Sequence, residues 1–154
     1  MKPKKSDIAT AVLLAVYIAV MFTVRPGICI VHGQSMEPTL HEGQILFSVK
    51  TSQIERMDIV IIKKYGEEED KIIKRVIGIP GDTIQIRNGR VYVNGEIADD
   101  LQTDYAGILE LPFTLFDGQY IVLGDNRAVS RDSRSPLVGI IYEEQIWRKI
   151  VTSK

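Results

Sequence analysis

Residues Ile8 to Val24 form an uncharged run built almost wholly from Ala, Val, Leu, Ile, Met, Phe and Tyr, and nothing else in the chain restricts its folding so strongly. At about 1.5 Å per residue, a helix over this run is roughly 25 Å long, the short end of what a bilayer core of about 30 Å requires; Arg25 can snorkel to close the gap. The competing explanation is a cleavable secretory signal, whose apolar region usually runs about 7–15 residues before a small-x-small cleavage site. Here the run is longer and ends at Arg25-Pro26 instead of leading into such a site, which favours an uncleaved transmembrane anchor over 8–25. Lys2, Lys4 and Lys5 precede it, so residues 1–7 are expected in the cytoplasm and the remainder on the extracytoplasmic face.

After Pro26-Gly27 the pattern changes to short β-branched runs separated by turn residues, the signature of a mainly β domain over 26–154 rather than of alternating strands and helices. Strands are predicted at Ile28 to His32, Gln44 to Lys50, Asp58 to Lys64, Lys71 to Ile77, Thr83 to Arg87, Arg90 to Val93, Gln119 to Leu123 and Gln145 to Val151. Asn88-Gly89 supplies the positive φ angles of a tight type I′ hairpin. Residues 83–118 read as this hairpin plus a loop-rich insertion, since Ala98 to Pro112 is poorly patterned. The acidic run Glu67 to Asp70 reads as a solvated loop, because coordinating carboxylates usually alternate and need a turn glycine.

A chain of 154 residues is the size of one domain, and its net charge of -1, with scattered Lys and Arg, leaves no basic footprint for nucleic acid. The single cysteine, Cys29, excludes an internal disulfide framework and a multi-cysteine zinc site. Flanked by Ile28 and Ile30, it reads as a buried spectator.

Ser35 comes after a short apolar strand where the chain must turn, with Pro38 fixing the next step. Such a turn presents a side chain to a cleft, but a free serine is a poor nucleophile and needs an activating base. His32 and His41 lie within a few residues of Ser35, whereas triad bases normally come from a separate part of the fold; both read as surface or strand-end residues. Lys74 is the better candidate. Period-2 alternation places it on one strand face with Ile72 and Val76, and burial against apolar neighbours disfavours the ammonium. A lysine near pKa 10.4 is useless as a base at neutral pH; lowering that value by about three, worth roughly 4 kcal/mol, makes it competent. Gly124 to Arg134 forms a polar loop able to hold a buried lysine in place and satisfy its protons.

Ser-Met-Glu-Pro-Thr-Leu at 35–40, Lys-Arg-Val-Ile-Gly-Ile-Pro-Gly-Asp at 74–82 and Gly-Asp-Asn-Arg at 124–127 with Ser130, Asp132, Ser133 and Arg134 succeed one another behind the apolar run. Together they resemble the boxes of bacterial type I signal peptidases, whose catalytic domain is largely β-sheet. The resemblance implies a serine endopeptidase that cuts signal peptides from exported preproteins without metal or cofactor, acting as a monomer at the lipid bilayer. It implies Ser35 as nucleophile, Lys74 as general base and Ser130 as the hydroxyl that orients the lysine. Asp125, Arg127, Asp132 and Arg134 match structural supports under the site. Val31, Met36, Leu40 and Ile73 match residues near shallow pockets for small side chains at the first and third positions before the cut. Lysine rather than histidine before Arg75 resembles the prokaryotic branch. Gly33 stands where some members place a serine that helps bind the oxyanion, so the oxyanion hole is expected to rely on backbone, the Ser35 N–H included. Ala128-Val129 replaces more polar residues. Two other readings stay open: a Ser/Lys peptidase dedicated to a narrow maturation task, and an inactive membrane module that only binds signal peptides.

Overall fold

The computed structural model describes residues 5–24, 26–63 and 71–151. The apolar run forms a helix, α1 (Lys5–Val24), and its large side chains face outward on every side: Ile8, Leu13, Tyr17 and Val20 are all exposed. Among the described residues no helix is long and apolar enough to cross a membrane, so the run expected over 8–25 is seen as a helix and not as a span. Arg25, the amino-terminal lysines Lys2 and Lys4 and the acidic run Glu67 to Asp70 lie outside the described residues.

Every strand expected from the β-branched runs is present. In chain order they are β1 (Gly27–Ile30), β2 (Ile45–Val49), β3 (Ile59–Lys63), β4 (Lys71–Gly78), β5 (Thr83–Arg87) and β6 (Arg90–Val93), then β7 (Glu96–Ile97), β8 (Phe113–Thr114), β9 (Gln119–Leu123), β10 (Ile141–Tyr142) and β11 (Ile146–Ile150). A seven-stranded sheet runs β1-β2-β11-β3-β4-β9-β10, and a four-stranded sheet runs β7-β6-β5-β8. The mainly β fold is therefore as expected. The strands that periodicity did not predict, β7, β8 and β10, are two residues each, too short to show an alternation.

The large sheet is buried on both faces at its centre, and β3 shows why its sequence is continuously apolar rather than alternating. Ile59 and Ile61 join one core cluster, with Val31, Met36, Leu40 and Leu46. Val60 and Ile62 join another on the opposite face, with Val76, Tyr120, Val122 and Ile141. A third cluster joins the two sheets, bringing Ile84, Ile86, Val91 and Val93 of the small sheet against Ile77, Ile121 and Leu123 of the large one.

Two turns set the small sheet. Asn88 and Gly89 both have positive φ, 49° and 70°, as a type I′ hairpin requires, and β5 and β6 pair from Ile84↔Val93 to Arg87↔Arg90. Asp82, at the end of the 74–82 segment, is buried and acts as a junction. It accepts hydrogen bonds from Arg56 Nε at 2.7 Å, Asn94 Nδ2 at 2.9 Å and the Ile79 N–H at 3.0 Å.

Gly78 of β4 packs directly against the small sheet's side: a Cβ there would stand 2.7 Å from both Ile84 Cδ1 and Leu115 Cδ1. Gly78→Val is expected to overpack this junction and lower stability by about 1–3 kcal/mol. The measurement is the urea midpoint of the variant against wild type at unchanged denaturant slope.

Candidate active site

The turn carrying Ser35 is held by its apolar neighbours. Val31, Met36 and Leu40 are all nearly inaccessible and pack into one core cluster with Leu46, Ile59, Ile61 and Ile150. The Leu40 N–H donates to the Met36 carbonyl at 2.9 Å and the Glu37 N–H to the Gln34 carbonyl at 3.2 Å, closing the turn. Ser35 itself is left half-buried at the surface. Its carbonyl accepts from the Asn126 N–H at 3.1 Å, which stitches the turn to the polar loop after β9.

Lys74 sits on β4 opposite Val60 of β3, and its strand neighbours Ile72 and Val76 pack in the same cluster as Val60. The side chain is 3% exposed. Its Nζ lies 2.6 Å from Ser35 Oγ and 2.9 Å from the Ile73 carbonyl. Burial lowers the amine's pKa to about 8, against the pull of Asp132 and Asp125, which raises it. The expected pairing of a turn hydroxyl with a dry lysine is thus present in the geometry.

Arginines offset both carboxylates. Arg75 Nε and Nη2 grip Asp125 at 2.8 and 2.6 Å, while Arg134 Nε and Nη2 grip Asp132 at 2.8 Å each. Asp132 also accepts the Gly124 N–H at 3.0 Å, and Arg134 Nη1 reaches Thr103 Oγ1 at 2.6 Å. Arg127 donates to the Gly124 carbonyl at 3.1 Å and to Asp99 at 2.5 Å. Asp132 and Arg134 are thus paired with each other within the loop. Asp125 and Arg127 instead take separate partners, Arg75 on β4 and Asp99 on the insertion, because each faces a different element. The loop's backbone replaces the polarity missing at Ala128-Val129, with the Val129 and Ser130 N–H groups donating to the Asn126 carbonyl at 3.3 and 3.0 Å.

Four expectations are corrected. The Ser130–Lys74 hydrogen bond is not made: Ser130 Oγ is buried and, among the described residues, has no hydrogen-bond partner. The hydroxyl instead lies against Gly124, where a Cβ would collide with both Ser130 Oγ and the Ser35 carbonyl oxygen. Gly33, at φ +85°, donates its N–H to Glu42 Oε2, so that donor is already engaged. Leu40 is a buried anchor of the turn and does not line the cleft beside it. That cleft, of about 310 Å³, is walled by Val31, Met36 and Ile73, together with Cys29, Ile61, Lys71 and Trp147. Cys29 is half-buried on this wall rather than fully buried, and burial pushes its thiol up. Its strand alternates with exposed Ile28 and Ile30, a pattern that could have placed it on the inner face.

Because Lys74's pKa is depressed on folding, the unfolded chain binds the extra proton between about pH 8 and the ordinary lysine range. Wild-type stability should therefore rise through that window, by about 3 kcal/mol in total. Lys74→Met removes the buried charge; it should be the more stable protein at pH 7, with a margin that shrinks by pH 10, as read by denaturant unfolding at both pH values.

The family described as signal peptidase, peptidase S26, matches residues 5–153. A signal peptidase I of Bacillus amyloliquefaciens is 36% identical over 162 aligned positions, covering 91% of this chain and 82% of that protein. A signal peptidase IB of Staphylococcus aureus is 33% identical over 173 positions, covering 96% of this chain and 88% of that one. Among solved structures, a signal peptidase I from Enterococcus faecalis aligns over 65% of this chain and 97% of its own, with 27% identity and a TM-score of 0.48. With the family match running from α1 through β11, the chain belongs to the signal peptidase family of S26 peptidases and is a peptidase.

Proposed function

We propose that this peptidase is a membrane-anchored serine endopeptidase that removes signal peptides from exported preproteins, with Ser35 as nucleophile and Lys74 as general base. The observation that carries the reading is the 2.6 Å approach of Lys74 Nζ to Ser35 Oγ with the amine buried. A neutral amine offers a lone pair to the hydroxyl proton, and the 2.9 Å contact with the Ile73 carbonyl aims it by engaging one of its N–H groups.

In the acylation step, Ser35 Oγ attacks the scissile carbonyl as its proton passes to Lys74 Nζ. The tetrahedral oxyanion then collapses, the C–N bond breaks, and Lys74 returns the proton to the departing amine. Water, deprotonated by the same lysine, hydrolyses the ester and releases the signal peptide with Ser35 restored. The Ser35 N–H is the donor we assign to the oxyanion, since the Gly33 N–H is engaged by Glu42. The Arg75–Asp125 and Arg134–Asp132 pairs keep two carboxylates under the site without leaving either charge uncompensated.

The cleft beside Ser35 presents the aliphatic side chains of Val31, Met36 and Ile73, surfaces suited to small side chains at the first and third positions before the cut. The relatives named signal peptidase support preproteins as substrates. The anchor rests on the uncharged run Ile8 to Val24 behind three lysines, and on a helix that is apolar and exposed all round, which water does not favour. By the positive-inside rule the amino terminus lies in the cytoplasm and the peptidase on the extracytoplasmic face of the cell membrane.

Ser35→Ala and Lys74→Ala are each expected to abolish cleavage of a purified preprotein monitored by gel shift, with circular dichroism unchanged; full activity in either would refute the assignment. A second measurement uses the lysine's pKa. Wild-type kcat/KM should rise with pH and level off above about 8, where the amine becomes neutral; a flat profile would exclude a lysine base.

A further inference from the structure

A second groove, of about 440 Å³, opens beyond Ser35 and shares no lining residue with the apolar cleft. The Ser35 turn is the divide between them. Gly33, Ser35 and Met36 face the cleft, whereas Glu37 and Pro38 face the groove. Its floor is Asn126 and Ala128, and its far wall is Leu101 and Gln102 of the insertion. A substrate whose carbonyl is held at Ser35, with the preceding side chains in the apolar cleft, must leave the site on the other side of that turn.

The groove is built in place rather than left to loop motion. Its floor is tied to the nucleophile by the 3.1 Å bond from the Asn126 N–H to the Ser35 carbonyl. Its wall is tied to the floor by buried Arg127, which bridges Gly124 and Asp99 and reaches the Leu101 carbonyl at 3.5 Å.

Its charge is one-sided. Three ionisable residues line it: Glu37, Asp125 and Arg127. Asp125 is neutralised by Arg75 and Arg127 by Asp99. Among the described residues the Glu37 carboxylate has no hydrogen-bond or ion-pair partner, so the groove presents one uncompensated negative charge two residues beyond the nucleophile.

We propose that this groove receives the substrate segment after the cut, and that Glu37 makes it favour basic or neutral residues over acidic ones in the first few positions of the released chain. The inference deepens the proposed peptidase activity and rests on it. Glu37 acts on binding of the leaving segment and takes no part in proton transfer.

The test uses the full-length chain in detergent and three preprotein peptides, identical up to the cut and carrying Lys-Lys, Gln-Gln or Glu-Glu at the second and third positions after it. Wild type should show kcat/KM in the order Lys, Gln, Glu, with a spread of roughly 2- to 5-fold, the size expected of a solvent-accessible charge contact. The spread should shrink in high salt. Glu37→Gln should flatten the order and Glu37→Lys should reverse it. A wild-type enzyme that cuts all three peptides equally at low salt, or an order unchanged in both variants, overturns the inference while leaving the peptidase reading intact. Failure of wild type to cut any of the peptides refutes the peptidase reading and the inference together.

Discussion

A primary amine kept dry against a hydroxyl is the interaction on which the rest of this structure turns. Water would hold Lys74 as an ammonium; removing water is what makes the charged form costly and the lone pair available. Burial cannot be complete, because an amine in a purely apolar pocket would have no orientation. The Ile73 carbonyl supplies one fixed acceptor. Asp125 and Asp132 stand close enough to pull the amine back toward its charged form, and each is held by a bidentate arginine that limits that pull. The result is a pKa of about 8, between an ordinary lysine and one that never charges.

The scaffold is organised around positioning that pair. Ser35 has no strand of its own. It sits on a turn nailed into the core by Val31, Met36 and Leu40 and fastened from above by Asn126. Lys74 comes from the middle of β4, a strand paired on both sides, with β3 and β9. Lys74 is held in the β3 ladder opposite Val60, and the next residue, Arg75, pairs with Leu123 of β9, so the short Nζ–Oγ separation depends mainly on how the turn is anchored. Gly124 explains how the polar loop approaches so closely: any side chain there would collide with the Ser35 carbonyl and Ser130. The same loop reaches outward through Arg127 and Arg134 to Asp99 and Thr103, so the insertion with the second sheet braces the site as well as adding surface.

Much of this is legible in the sequence where the signal is local. Strands long enough to alternate or to run continuously apolar are visible there, and Asn88-Gly89 identifies its hairpin from backbone preference alone. Asn94-Gly95 repeats that signal with positive φ at both residues, but the strand it leads into, Glu96–Ile97, is too short to stand out. Ser35 and Lys74 are recognisable as a turn hydroxyl and a lysine among aliphatics. Their supports are less so. Arg75 adjoins Lys74 in sequence, yet nothing local says that it grips Asp125, 50 residues away. Leu40 resembles a pocket residue and is an anchor. Gly33 stands at a position tied to the oxyanion hole and has its N–H engaged by Glu42, a contact that depends on how β1 and β2 turn toward each other.

By itself the sequence determined which segments are extended, where the chain turns, and which side chains are candidates for the chemistry, because those arise from dihedral preference, from hydrophobic period and from the intrinsic reactivity of a few residue types. Only the tertiary structure decided that Lys74 is dry, that its carboxylate neighbours are neutralised by Arg75 and Arg134, that Ser130 is left without a partner among the described residues, and that a groove with one unpaired carboxylate lies beyond Ser35. Those properties depend on solvent exclusion and charge compensation, which belong to the space between elements far apart in the chain and so appear only when the sheets, the turn and the loop have packed together.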